Sequence, residues 1–200
     1  MDHWVFRHRS LTMESGEKIA LLGPNGSGKS TFMLLAAGYL QPTEGTVSYF
    51  TNNQNVAQKH VGAHIGMCLP NMETFDDFTL KQLLTLHTSM RSMLCTSNVA
   101  ALASLLQFSA SEMNRQIRFF SNGMRQRLKL GLALLTDSSA VLLDEPLTNM
   151  DEQGKSLYYG WLDAYLGTRL LLVASNRSDE YLNCTRFIQV QDVLSEPREI

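Results

Sequence analysis

Short apolar runs alternate along this chain with stretches of helical period. Lys18–Leu22, His64–Leu69, Ala140–Leu143 and Leu170–Ala174 are too short for buried helices and are bounded by turn residues. They read as strands covered on both faces, with Arg186–Val190 as a last one. Val5–Met13 alternates loosely up to the turn Ser15-Gly16-Glu17, and Thr46–Phe50 is β-branched and aromatic, so both are expected as strands. The polar, Asn-rich stretch Thr51–Gln58 reads as a solvent loop, and Pro70-Asn71 stops the strand before it. The period then changes. Leu80, Leu83, Leu84, His87, Met90 and Leu94 mark an amphipathic helix with Thr79 as its N-cap. A second helix is expected over Asn98–Gln107 and a short one from Ser111, with no strand between Leu80 and Phe119. A helix capped by Ser121 or Asn122 runs to about Thr136, and another spans Asp151–Leu166.

Strands alternating with helices predict an α/β fold with a mostly parallel sheet and its ligand at the strand C-termini. An N-terminal antiparallel β portion and an inserted α-helical lobe complete the expected architecture. All 200 residues are expected to form one domain, with a core over about 1–70 and 120–200 and the lobe over about 71–119.

The stretch Gly23-Pro24-Asn25-Gly26-Ser27-Gly28-Lys29-Ser30-Thr31 gives that core its chemistry. It fits G-x-x-x-x-G-K-[ST], a phosphate-binding loop between a strand and a helix, and makes this a P-loop NTPase core. Glycines let successive N–H groups point inward around a polyphosphate. Lys29 would sit against the β- and γ-phosphates, and the Ser30 hydroxyl would ligate Mg²⁺. The helix expected over Thr31–Ala37 adds its positive N-terminal end.

Composition narrows the partners. Hydrophobic residues make up 44 % and charged residues 18 %, enough to bury a core. A net charge of −2 and scattered Lys and Arg offer no footprint for nucleic acid or an anionic membrane. No apolar stretch approaches the ~20 residues that cross a bilayer, and the first residues lack the pattern of a signal peptide, so the chain is expected in the cytoplasm. Cys68, Cys95 and Cys184 lie far apart without metal or redox spacing and read as small buried hydrophobes. His60 and His64 flank a Gly-containing, strand-like segment and are not read as a metal pair.

Two further motifs follow. Ala140–Leu143 runs into Asp144-Glu145-Pro146. At a strand end, Asp144 can hold Mg²⁺ beside the P-loop serine, and Glu145 can take a proton from a water in line with the γ-phosphate. Phe120-Ser121-Asn122-Gly123-Met124-Arg125-Gln126-Arg127 puts a hydroxyl and a glycine at a helix N-terminus, a second anion site. A chain with its own triphosphate cradle has use for a second only if it reads the nucleotide of another subunit.

With these motifs in this order, the chain resembles the ATP-binding subunits of ABC transporters over nearly its full length. Gly23–Thr31 matches Walker A, Ser121–Gln126 the signature, Val141–Glu145 Walker B, and Leu147–Asp151 the D-loop. The resemblance implies a head-to-tail dimer, of identical or different chains, with each ATP between one subunit's Walker A and the other's signature. Ser121 and Gly123 would then contact the partner's γ-phosphate. It implies a separate transmembrane permease subunit docked on the helical lobe, so that the chain is peripheral to the inner (plasma) membrane. Met72 to about Met93 is the expected docking segment, with Phe75 and Phe78 as apolar residues in an otherwise acidic loop. It also implies an aromatic platform for adenine, for which Trp4 is available.

Three motifs depart from the family pattern. The signature, usually Leu-Ser-Gly-Gly-Gln, reads Phe120-Ser121-Asn122-Gly123-Met124. Asn176 stands where the switch histidine follows a strand, and Asn71 where the family has the Q-loop glutamine that also faces the metal. An amide donor survives at both, with less reach or no cationic state. Losing one donor aimed at transition-state charge costs about 2.7–4 kcal/mol. Because Asn176 keeps a donor, hydrolysis is expected to be slow rather than absent. Two readings remain open at this point: an ATPase powering transport, and a nucleotide-gated interaction or regulatory protein that hydrolyses very weakly. A chromosome-maintenance ATPase would need a long coiled coil between Walker A and the signature, and a small-molecule kinase has no use for a signature.

Overall fold

A computed structural model of the chain describes residues 10–70, 72 and 75–190. In chain order its strands are β1 (Lys18–Leu22), β2 (Phe50–Thr51), β3 (Gln54–Asn55), β4 (Ile65–Cys68), β5 (Ala140–Asp144), β6 (Leu170–Ala174) and β7 (Arg186–Gln189). Its helices are α1 (Lys29–Ala36), α2 (Gln58–Val61), α3 (Leu80–Met90), α4 (Val99–Leu105), α5 (Asn122–Leu135) and α6 (Glu152–Tyr165). Five strands form one sheet in the order β4-β5-β6-β1-β7, every pair parallel. β2 and β3 form a separate antiparallel pair.

Side chains on successive strand residues point to opposite faces, and here both faces are covered. Ala20, Val141, Leu143, Leu171 and Val173 pack on one side with α5, α6 and the helices that follow β4. Ile19, Leu21, Leu142, Leu172 and Ala174 pack on the other with Met33 and Ala37 of the P-loop helix and its end. That is why these strands read as continuous apolar runs.

The inserted helices begin with a capping box, in which Thr79 and Gln82 exchange side-chain and backbone bonds. Asn98 caps α4. Leu80, Leu84, Leu102, Leu106 and Ile117 are fully buried and continue the core formed by α5 and α6. A ladder closes the insertion on itself. Leu80 N–H donates to Arg115 O at 3.1 Å, Ile117 N–H to Phe78 O at 2.9 Å, and Arg118 N–H to Asp76 O at 3.0 Å. The Arg125 guanidinium of α5 adds an ion pair to Asp76 at 2.6 Å.

Arg169, only 8 % exposed, fastens the far ends of α5 and α6. Its N–H groups donate to the carbonyls of Leu134 and Thr136, to those of Tyr165 and Leu166, and to Ser138 Oγ. A cation there satisfies terminal carbonyls that α5 and α6 cannot pair within themselves.

Four expectations need correction. Thr46–Phe50 is not a strand: only Phe50 pairs, because Val47 and Phe50 are exposed and no core face holds the segment. The polar stretch after it is a hairpin, turned by Asn52 and Asn53 at φ 48° and 61°, the left-handed pair that tight two-residue turns require. The helix expected from Ser111 is a 3-10 turn over Glu112–Asn114. Residues 10–13 of the expected Val5–Met13 strand carry no strand, and the rest of it lies outside the described residues.

Candidate functional site

β1, between β6 and β7, delivers Gly23 at its C-terminal end, and the chain turns through the loop into α1. Gly28 is the N-cap at φ 97°, a left-handed conformation that costs other residues more than glycine, and no side chain caps the helix. Lys29 is buried, and its Nζ donates to Gly23 O at 2.6 Å and to Pro24 O at 3.1 Å. Ser30 Oγ donates to Asp144 Oδ2 at 2.6 Å, joining the loop to the end of β5. Burial pushes the Asp144 carboxyl above its ordinary range, the Ser30 hydroxyl pulls it back, and the neighbouring Glu145 charge adds to the rise. Thr31 follows on α1, partly buried, and Asn25 and Gly26 are exposed at the loop tip.

Glu145 adopts φ 48°, left-handed for a residue with a side chain, which costs about 1–3 kcal/mol and persists only where surroundings over-determine it. Five contacts do so, one of them the bond from Thr148 N–H to Glu145 O at 3.2 Å. The Glu145 N–H donates to Ala174 O at 2.9 Å. Its carboxylate accepts from Thr148 Oγ1 at 3.3 Å. Gln126 Nε2 from α5 donates to Glu145 O at 3.4 Å and to Pro146 O at 2.9 Å. Beyond it, Leu147 N–H donates to Glu180 Oε1 at 3.0 Å, and Ser175 Oγ donates to the other oxygen of the same carboxylate. Burial pushes the Glu180 carboxyl up, against the pull of the Ser175 and Leu147 bonds.

Asn176, after β6, turns its amide onto the loop. Nδ2 donates to Asn25 Oδ1 at 2.8 Å, and Oδ1 lies 3.5 Å from Lys29 Nζ. Ser121 is the N-cap of α5, its Oγ accepting from Met124 N–H at 3.2 Å. Gly123 is needed for another reason, since a Cβ there would stand 2.8 Å from Asn149 O. An open cleft lined by Asn122, Gln126, Lys129, Asp144, Glu145 and Thr148 runs between α5 and the end of β5.

Lys29, Ser30, Asp144, Glu145 and Asn176 thus meet at the C-terminal ends of β1, β5 and β6. Gly123 lies across the cleft against Asn149 O, and Ser121 caps the helix that carries it. Trp4 and Asn71 lie outside the described residues. Phe75 is 58 % exposed, whereas Phe78, stacked on it at 5.2 Å, is partly buried against the core. Gln126, Thr148 and Glu180 carry no role in the sequence reading. Gln126 falls inside the quoted signature stretch, the one signal that pointed near it.

The residues fit Mg-ATP. The loop offers backbone N–H groups and a buried ammonium, and Ser30 with Asp144 makes a hard-oxygen pair suited to a small divalent cation.

The family profile for ABC transporters matches residues 6–148. The chain is 29 % identical over 196 residues to Nod factor export ATP-binding protein I of Burkholderia orbicola, covering 96 % of this chain and 64 % of that one. It is 27 % identical over 184 residues to human phospholipid-transporting ATPase ABCA3, covering 90 % of this chain and 11 % of that one. The chain therefore spans less than two thirds of these relatives' length. In fold it is similar to the ATP-binding cassette MJ0796, solved as a dimer in a post-hydrolysis state with ADP and phosphate. The TM-score is 0.79 at 18 % identity, covering 96 % of this chain and 89 % of that one. A Pyrococcus furiosus ABC transporter ATP-binding protein gives 0.76 at 20 % identity, covering 98 % and 94 %. With its phosphate loop, paired strand-end carboxylates and capped signature helix in one α/β core, the chain belongs to the ABC transporter family, as an ATP-binding cassette.

Proposed function

We propose that the chain binds Mg-ATP and hydrolyses it, and that nucleotide-driven closure of a dimer powers transport through a separate membrane subunit. The observation that carries this is the 2.6 Å bond between Ser30 and Asp144, with Lys29 and Glu145 flanking it at adjoining strand ends. Lys29 and the loop N–H groups bind the β- and γ-phosphates. Ser30 and Asp144 would hold Mg²⁺, which supplies charge neutralisation to the phosphates. Glu145 takes a proton from the attacking water as its oxygen bonds to the γ-phosphorus and the bond to the β,γ-bridging oxygen breaks, releasing ADP and inorganic phosphate. Ser121 and Gly123 face the partner's nucleotide, while Asn71 and Trp4 serve the metal side and the adenine. The partner cassette is either identical or homologous.

Asn176 holds Asn25 with a neutral amide where an imidazole can also carry charge, so turnover is slow. The same observation favours the second reading, a nucleotide-gated regulatory protein with very weak hydrolysis. The exposed Phe75 supports docking of the membrane subunit on the lobe, about residues 71–119. Among the described residues no helix is long and apolar enough to cross a membrane, in keeping with a peripheral cytoplasmic subunit.

Glu145→Gln separates the readings. Turnover should fall at least about a hundredfold, because the proton acceptor is gone. ATP affinity should hold, and a dimer should accumulate in gel filtration with Mg-ATP. Turnover equal to that of the unaltered chain would overturn the ATPase reading.

A further inference from the structure

The Glu145 backbone is left-handed at φ 48°, and nothing in its own side chain favours that conformation. What holds it from the helix side is Gln126, a buried amide whose two N–H groups meet two consecutive carbonyls, those of Glu145 and Pro146. The amide nitrogen also lies 3.8 Å from Cys68 Sγ, at the end of β4. From the sheet side, Ala174 O accepts the Glu145 N–H. Thr148 N–H closes the turn on Glu145 O at 3.2 Å, and beyond that local bond the peptide is held by β6 on one side and by a side chain of the signature helix on the other.

We infer that Gln126 is a positioning residue for Glu145, fixing the left-handed turn that aims its carboxylate, so that α5 ties its own site's proton acceptor to the helix end that faces the other nucleotide. The inference rests on the ATPase reading above. The geometry has a direct consequence. Ser121, the N-cap, and Gln126 lie on one rigid helix, and Gly123 between them rests on Asn149 O of the segment that continues from Glu145. A shift of α5 when a ligand engages its N-terminus is passed to Glu145 through the amide and to the D-loop through this contact. The Gln126 N–H groups are spent on the Glu145 and Pro146 carbonyls, so its removal should act on turnover and leave affinity alone.

Two variants test this on the full chain with Mg-ATP, with Glu145→Gln alongside. Gln126→Met keeps length and volume but has no N–H. Gln126→Glu keeps the shape and, when ionised, turns oxygen toward both carbonyls. Each should lower kcat by about 10- to 100-fold, the range seen when an orienting partner of a reacting group is removed. The dissociation constant for ATP, measured by calorimetry, should stay within about twofold. A merely structural role would lower the melting temperature and not split kcat from binding. Wild-type kcat in either variant overturns the inference while the ATPase reading stands. Loss of ATP binding together with turnover in both variants also overturns it, since Gln126 would then support the whole site. If the unaltered chain shows no turnover that Glu145→Gln removes, the ATPase reading fails first and takes the inference with it.

Discussion

The N-termini of α1 and α5 are built from similar residues and finished in opposite ways. α1 starts at a left-handed glycine and has no side-chain cap, so its first N–H groups are left to a ligand. α5 starts at Ser121, whose Oγ already accepts from Met124 N–H. Its first turn also carries Arg125, committed to Asp76 and to the carbonyls of Phe120 and Arg118. The first end is set for phosphate before any partner arrives. The second is complete on its own, and a phosphate there must compete with the cap. Equal helix dipoles therefore do not make equal anion sites. The local donors decide whether binding is intrinsic or conditional.

The largest effect that would break this contrast is at α1. Lys29→Ala removes the buried ammonium and should weaken ATP binding by about 3 kcal/mol, roughly a hundredfold or more. Calorimetry on the single chain checks it, and unchanged affinity would mean that the loop is not the primary site.

Gly123→Ala comes next. Its new Cβ must displace the Asn149 carbonyl, a backbone atom with little freedom, at a cost of about 1–3 kcal/mol. The melting temperature should fall, and ATP-dependent dimerisation should weaken while single-chain affinity holds. An unchanged melting temperature would show that the D-loop yields freely.

Ser121→Ala is the mildest. Loss of the cap should cost about 1 kcal/mol of stability. If α5 reads phosphate only conditionally, the variant should impair the ATP-bound dimer and leave the first binding event untouched. Equal loss at both steps would erase the difference between the two ends.

Much of the fold was legible because period and burial agree. Leu170–Ala174 is a strand over the residues expected, and Thr79, Asn98, Ser121 and Asp151 all cap helices where a polar residue precedes an apolar period. What failed was composition without a core. Thr46–Phe50 has strand-forming residues but no face to bury, and Asn52-Asn53 is a turn signal that polarity alone does not convey. At the site, residues that share one motif were legible as a unit, since their spacing carries the chemistry. Gln126, Arg169 and Glu180 were not, because each acts on a backbone far along the chain and no spacing records it. The left-handed turn at Glu145 was equally silent, being imposed by neighbours rather than by its own residue type.

The ladder that joins residues 76–80 to 115–118 brings the two ends of the insertion side by side, while Leu94 N–H on Leu135 O, Asp137 N–H on Ser92 O and the Arg91 guanidinium on the Gly62, Ala63 and Ile65 carbonyls tie its middle back to the core. Between that middle tie and α4 the chain passes through an exposed turn at Ser97 and Asn98, where extra residues need not move Glu145 or the phosphate loop. Doubling such a segment costs only about 0.6 kcal/mol in closure entropy. That turn is thus where this chain can change length over evolutionary time with the chemistry left in place.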